Sequence, residues 1–168
     1  MFPGASEANF VRASGDATTV LHFDPVAAKF LVIRQFRHGA FVRRDKKPWC
    51  IEPPAGRIDP GETAEEAAHR KLWEETGSNA RSLHNIAFYG PTPGAFSKHL
   101  KSSVAIAELD GVESLIGGVE CETADIMAHI LPYSELLEMQ ANGVANNGPF
   151  TMTALWLKAE AVRLASEI

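Results

Sequence analysis

The segment that most constrains the fold is AGRIDPGETAEEAAHRKLWEETG, residues 55–77, in which a loop rich in turn-forming residues leads into an amphipathic helix. Thr63 can cap the N-terminus of the helix, and Glu66 follows three residues later, which is the capping-box pattern. Gly77 is typical of the position that ends a helix. Small apolar side chains recur between them at helical spacing, at Ala64, Ala67, Ala68 and Leu72. The segment therefore predicts a helix over residues 64–76.

The last turn of this helix carries two carboxylates, Glu74 and Glu75, close to the cations Arg70 and Lys71. Acids at a helix C-terminus oppose the helix dipole, so they need a cation nearby. Oxygen ligands on a rigid helix suit Mg²⁺ or Mn²⁺. A solvent-exposed face with salt bridges between neighbouring turns explains the same pattern. The residues alone leave both explanations open.

The rest of the chain alternates between strand and helix patterns. Residues 18–23 and 29–36 are rich in β-branched and aromatic side chains, and the turn-like DPVAA between them predicts a hairpin. Residues 37–48 are predicted to form a basic, polar loop. Further strands are predicted from residue 49 and at 86–90, 102–109 and 126–133, with helices at 134–141, capped by Ser134, and at 150–167. This order predicts one α/β domain over residues 1–168, with 1–9 as a loose lead-in and a mixed sheet between helices.

Composition excludes several classes of protein. A net charge of −5 argues against non-specific binding to nucleic acid, which needs a basic surface. The two cysteines, Cys50 and Cys121, are far apart and outside any CxxC pattern, so we expect neither a disulfide nor a zinc site. No signal peptide and no apolar run long enough for a membrane span are visible, so we expect a cytoplasmic protein.

The acidic segment closely resembles the Nudix box, a motif of fixed spacing. The matching positions are Gly56, Glu62, Arg70, Leu72, Glu74, Glu75 and Gly77. The resemblance implies the Nudix fold, an α/β/α sandwich with a mixed sheet. It also implies a loop–helix–loop that binds Mg²⁺, or Mn²⁺ in its place, and positions the diphosphate of a nucleoside diphosphate linked to another group, where water cleaves the diphosphate bond.

The flanking segments narrow the resemblance to one branch of the family. VIRQFRHGAF, WCIEPPAGRIDPGE, YGPTPGAFSKH and NNGPFTMTALWL are similar to segments of ADP-ribose pyrophosphatases. The implied reaction is Mg²⁺-dependent hydrolysis of ADP-ribose or a related nucleoside diphosphate sugar to two monophosphates. Relatives of this branch are often homodimers, so a homodimer is expected.

The resemblance also implies roles for single residues. Arg37 would contact the substrate phosphates, and Glu52 would bind substrate or support Arg37. The carbonyl oxygen of Ala55 would be a metal ligand together with Glu75.

The resemblance also implies roles for the remaining carboxylates and for the box positions. Glu74 would be a metal ligand or a partner of Arg70, and with Glu75 it belongs to the implied catalytic group. The general base would come from a loop outside the box, with Glu122 as the best match and Glu120 as the second. The box residues Gly56, Glu62, Arg70 and Gly77 would be structural.

Three positions depart from the family pattern. Lys71 stands where the box has a glutamate that usually binds metal, and Lys98 stands where a neighbouring loop usually has an acid. Ser78 replaces an aliphatic residue, a mild change. The two lysines favour weaker metal binding or direct contact of Lys98 and Lys71 with phosphates. A Nudix-fold protein that binds nucleotides without efficient hydrolysis is therefore an alternative, and an unrelated α/β protein with an acidic surface helix is another.

Overall fold

A computed structural model describes residues 12–76, 79–110, 116–117 and 126–166 of the 168-residue chain. None of the helices in this described part is long and apolar enough to cross a membrane. The strands are β1 (Ala17–Asp24), β2 (Lys29–Phe36), β3 (Trp49–Glu52), β4 (Ala55–Arg57), β5 (Ser82–Tyr89), β6 (Leu100–Ile106), β7 (Ile116–Gly117) and β8 (Ile126–Pro132). The helices are α1 (His38–Val42), α2 (Ala64–Thr76), α3 (Tyr133–Ala141) and α4 (Gly148–Ser166).

The strands form one mixed sheet in the order β5-β6-β1-β2-β8-β7, with β3 paired to β2 and β4 paired to β1. The central pair β1 and β6 is parallel, and the remaining strand pairs among the described residues are antiparallel. The predicted hairpin of β1 and β2 is confirmed, since Phe23 lies opposite Phe30. This mixed sheet confirms the predicted fold class.

Helices cover both faces of the sheet because side chains alternate along β1. Leu21 packs in an apolar cluster with Phe150 of α4. Val20, which points to the opposite face, packs with Ala68 and Leu72 of α2. The layers are therefore helix, sheet and helix, as the predicted sandwich requires.

Helix α2 has the predicted bounds, and its N-terminus is closed by the predicted capping box. The backbone N–H of Glu66 donates to Thr63 Oγ1 at 3.2 Å, and the N–H of Thr63 donates to Glu66 Oε2 at 2.7 Å. Two backbone donors without partners inside the helix are thereby satisfied. Gly77, the predicted stop, lies outside the described residues.

Several predicted boundaries were wrong, and two short elements were missed. Strand β5 begins at Ser82 rather than at residue 86, and β6 spans Leu100–Ile106 rather than 102–109. The predicted loop at 37–48 contains the five-residue helix α1, which has no buried residue and so gives no amphipathic signal. Strand β4 was missed because three residues show no periodicity. Helix α3 begins at Tyr133, with Pro132 in the cap position, so Ser134 is not the cap.

Asp24 ties the β1–β2 turn to the chain beyond β6. Its Oδ1 accepts the N–H groups of Val26 and Ala27, each at 2.9 Å, and its Oδ2 accepts the N–H of Leu109 at 2.9 Å. Burial alone would raise the pKa of Asp24, but these backbone donors lower it in net.

Asp24→Asn is expected to reduce the free energy of unfolding by about 1–3 kcal/mol at pH 7, since the amide NH₂ cannot accept from Leu109. Urea unfolding measures this loss. The difference in unfolding free energy between wild type and Asp24→Asn should shrink in acid. Because the pKa of Asp24 is lowered in the folded state, the stability that its carboxylate contributes is lost as the pH falls through that pKa and the wild-type side chain becomes protonated. Asp110→Asn is the matched control, because Asp110 is exposed and forms only a surface ion pair with Lys29, 3.3 Å away. Equal losses from both variants would contradict the assigned role.

Candidate active site

An ion-paired network fixes the loop between β4 and α2. Arg70 donates to both carboxylate oxygens of Glu62, each at 2.9 Å, and to the carbonyl oxygen of Arg57 at 3.0 Å. The N–H of Asp59 also donates to Glu62 at 3.0 Å. The hydrogen bond from Arg70 is the main reason that the pKa of Glu62 falls to about 2. The loop is therefore held against the helix at two predicted structural positions, Glu62 and Arg70.

Glu74 sits between two cations of its own helix. Its Oε1 accepts from Arg70 at 3.2 Å, and its Oε2 accepts from Lys71 Nζ at 2.6 Å. Burial would raise the pKa of Glu74, but the hydrogen bonds from Lys71 and then Arg70 lower it in net. Glu74 is thus an ionised carboxylate with a cation on each oxygen.

Lys71 lies over Gly56 of β4. A Cβ atom added to Gly56 would lie 2.2 Å from Cε and 2.9 Å from Cδ of Lys71, far inside van der Waals contact. The Lys71 side chain is 18% exposed, so its methylene stem is largely covered while its ammonium reaches Glu74. The missing side chain of Gly56 provides the space that this lysine occupies.

The side chains of Glu74 and Lys71 do not fit the metal site that the box implies. A divalent ion needs several oxygen ligands, yet both oxygens of Glu74 already accept bonds from cations. An ammonium about 4 Å from a divalent ion would cost about 8 kcal/mol at an effective dielectric constant of about 20. Among the described residues no group of three or more His, Cys, Asp or Glu side chains could hold a metal ion. The ligand roles of Ala55 and Glu75 stay predictions.

Arg37 and Glu52 form a second ion pair, beside the β2–β3 edge of the sheet. Arg37 Nε lies 3.1 Å from both oxygens of Glu52, and Nη2 also bonds to Oε2. This hydrogen bonding is the largest cause of the raised pKa of Arg37. The Arg37 side chain remains 42% exposed against 14% for Glu52. Glu52 therefore orients a guanidinium whose outer part faces solvent.

Lys98 lies near two arginines, although it is distant from both in sequence. Burial is the largest cause of its lowered pKa, and the charges of Arg37 and Arg57 lower it further, while Asp16 raises it. Arg12 holds the Lys98 loop, since its backbone bonds to that of Ala95 at 2.9 Å and that of Ser97 at 3.3 Å. Arg37, Arg57 and Lys98, here called the cation triad, share one region that favours an anion.

Arg57 and Asp16 were not predicted from the sequence as residues of the site. Arg57 directly follows the box glycine, which is a signal that could have been used. Asp16 accepts the N–H of His99 at 2.8 Å, and only the fold brings these residues together. Other predicted site residues lie outside the description: the side chain of Glu75, and all of Gly77, Glu120 and Glu122.

Comparisons with known proteins agree with this geometry. A family model described as the NUDIX domain matches residues 14–153. An ADP-ribose pyrophosphatase of Escherichia coli strain K12 is 29% identical over 154 residues, which cover 91% of this chain and 72% of that protein. A GDP-mannose pyrophosphatase of Salmonella paratyphi B is 27% identical over 144 residues, covering 86% and 74%.

A solved structure has a similar fold. The crystal structure of an ADP compounds hydrolase superposes with a TM-score of 0.63 at 25% identity, covering 86% of this chain and 74% of that one. The domain match spans most of the chain, and its segment contains the whole network of Glu62, Arg70, Lys71 and Glu74. The chain therefore belongs to the Nudix family.

Proposed function

We propose that this protein hydrolyses the diphosphate bond of ADP-ribose or a related nucleoside diphosphate sugar, releasing two monophosphates. The observation that carries the proposal is the cation triad of Arg37, Arg57 and Lys98, in which both arginine charges act on Lys98. The carbonyl oxygen of Arg57 accepts a hydrogen bond from Arg70 of the box helix. The names of the relatives, which include ADP-ribose and GDP-mannose pyrophosphatases, support a substrate of this class.

The triad suits a diphosphate for electrostatic reasons. A guanidinium oriented by a carboxylate, as Arg37 is by Glu52, offers paired donors that match phosphate oxygens. Lys98 adds a compact charge, and burial beside like charges means that a bound anion relieves repulsion. Neutralising the phosphate oxygens also lowers the barrier to attack by water at phosphorus. The triad would both bind and activate the substrate.

The carboxylates divide into separate proposed roles. Glu74 carries a cation on each oxygen and has a lowered pKa, so a positioning role suits it better than proton transfer. The base is proposed to be Glu122, with Glu120 as the second choice. Glu75 and the Ala55 carbonyl are the remaining groups from which an Mg²⁺ requirement could arise, and that requirement stays a prediction.

The remaining expectations are also proposals. We propose a single catalytic domain over residues 1–168, which assembles as a homodimer and acts in the cytoplasm on a small-molecule substrate rather than on nucleic acid or membranes. The net charge of −5 supports the exclusion of nucleic acid as a partner.

A second candidate function is nucleotide binding without efficient turnover. The ion pair between Lys71 and Glu74, 2.6 Å apart, favours it, since this pair engages a carboxylate that the family uses for metal. In that case the triad would still hold the diphosphate.

The test is product analysis with ADP-ribose and GDP-mannose, each incubated with the purified protein in Mg²⁺ buffer and in EDTA. AMP from ADP-ribose, or GMP from GDP-mannose, is the expected result. Binding of either compound without product would favour the second candidate. If neither compound binds and no product forms in either buffer, both functions are rejected.

A further inference from the structure

We infer that the ammonium of Lys71 takes the place of a divalent cation at the box, so that this protein binds a diphosphate ligand without Mg²⁺. The inference rests on the proposed function insofar as the same site must accept a diphosphate. It concerns how the ligand's charge is neutralised and leaves open which sugar the ligand carries.

Lys71 lies close to two of the expected metal ligands. Its stem packs over Gly56, next to Ala55, whose carbonyl is one of the expected metal ligands. Its ammonium lies 2.6 Å from Glu74, another of those expected ligands. The charge of Lys71 therefore lies between the box loop and the box helix, the place that the resemblance assigns to the metal ion.

The charge of Glu74 is neutralised by cations of its own helix. Lys71 and Arg70 together occupy both oxygens of Glu74, so this carboxylate needs no metal ion to neutralise it. An ammonium has three donor hydrogens, and the bond to Glu74 uses one.

The cation triad supplies positive charge for the phosphates of the ligand. Within the described residues neither Arg57 nor Lys98 forms a salt bridge, while Arg37 is paired with Glu52. Positive charge that a metal ion would bring to the phosphates is thus already present on fixed side chains.

The experiment is isothermal titration calorimetry of ADP-ribose binding, in Mg²⁺ buffer and in EDTA. Wild-type affinity is expected to differ by less than about threefold between the buffers. Lys71→Met keeps the length of the stem over Gly56 and removes the charge, so it should weaken binding in EDTA about tenfold, as expected for loss of a charged contact. Lys158→Met is the matched control, because Lys158 is exposed on α4, and it should bind as wild type does.

Lys71→Glu restores the box pattern and provides a second readout that needs no ligand. Electron paramagnetic resonance of free Mn²⁺ should show at least about tenfold tighter Mn²⁺ binding by Lys71→Glu than by wild type, since a repelling charge becomes an attracting one. Thermal unfolding of each variant confirms that it is folded.

The outcomes separate this inference from the proposed function. Wild-type binding that requires Mg²⁺ would overturn the inference and leave the diphosphate site standing. Unchanged affinity of Lys71→Met in EDTA would likewise overturn it. No binding of ADP-ribose and none of GDP-mannose, in either buffer, would overturn the inference together with the proposed function.

Discussion

Replacing Arg37 with glutamine is expected to weaken ADP-ribose binding by about tenfold to a hundredfold, the usual range for losing a charged hydrogen-bonding partner. Arg37 is held by Glu52 with its outer part exposed, and its charge acts on Lys98. Calorimetry with ADP-ribose measures the affinity. Hydrolysis should fall at least as far if the same contact strengthens in the transition state.

Arg43→Gln is the control for Arg37→Gln. Arg43 is an exposed arginine on the same connection, paired with Asp45 at 2.7 Å, and its loss should leave affinity unchanged. Because Arg37→Gln leaves Glu52 without its partner, Lys98→Met is a second variant that removes a triad charge without that effect. Wild-type affinity in both Arg37→Gln and Lys98→Met would contradict the assignment of the triad to the diphosphate.

His22→Leu is expected to make the fold markedly more resistant to acid. His22 is fully buried on β1, and neither ring nitrogen has a hydrogen-bond partner among the described residues. Burial lowers its pKa from 6.5 to about 3. Below pH 6.5 His22 becomes protonated in the unfolded chain but stays neutral in the folded protein. The free energy of unfolding therefore falls as the pH drops toward 3. This linkage amounts to about 3 kcal/mol between pH 7 and pH 4.

Urea unfolding at the two pH values measures the difference between wild type and His22→Leu. Leucine has a similar volume and no polar nitrogen, so the variant should also be no less stable at pH 7. His38→Leu is the control, because His38 is exposed. Equal acid sensitivity of wild type and His22→Leu would show that His22 does not govern this transition.

Prediction from the sequence succeeded where several local signals agreed. Helix α2 combined a capping pair with a small-residue stripe, and both are found in the structure. The contacts of Arg70 and Lys71 with Glu74 follow from helical spacing. Side chains three or four residues apart on a helix are neighbours, so such contacts can be predicted from the sequence alone. The contact of Arg70 with Glu62 was not predicted.

The cation triad could not be assembled from local patterns. Arg37 lies between β2 and α1, Arg57 is the last residue of β4, and Lys98 lies between β5 and β6. Lys98 reaches the arginines because β6, which follows it, pairs in parallel with β1, and β1 in turn pairs with β2 and β4. The family resemblance predicted separate roles for Arg37 and Lys98. Their common location depends on these long-range strand pairings.

Elements with little burial were also beyond prediction. Helix α1 has no buried side chain, and its apolar residues Phe41 and Val42 are exposed. It therefore lacks the separation of apolar and polar faces from which a helix is predicted. Strand β4 has three residues and is defined by its pairing with β1, a partner far away in sequence. Tertiary contacts rather than local propensity determine such elements.

The most direct test of the central claim is a crystal structure with an ADP-ribose analogue in which a methylene group replaces the bridging diphosphate oxygen. We expect the phosphate oxygens within hydrogen-bonding distance of Arg37 and Lys98, with the Lys71 ammonium still on Glu74. A diphosphate bound elsewhere would contradict the assignment, for example in the groove lined by Arg34, Lys46 and Trp49.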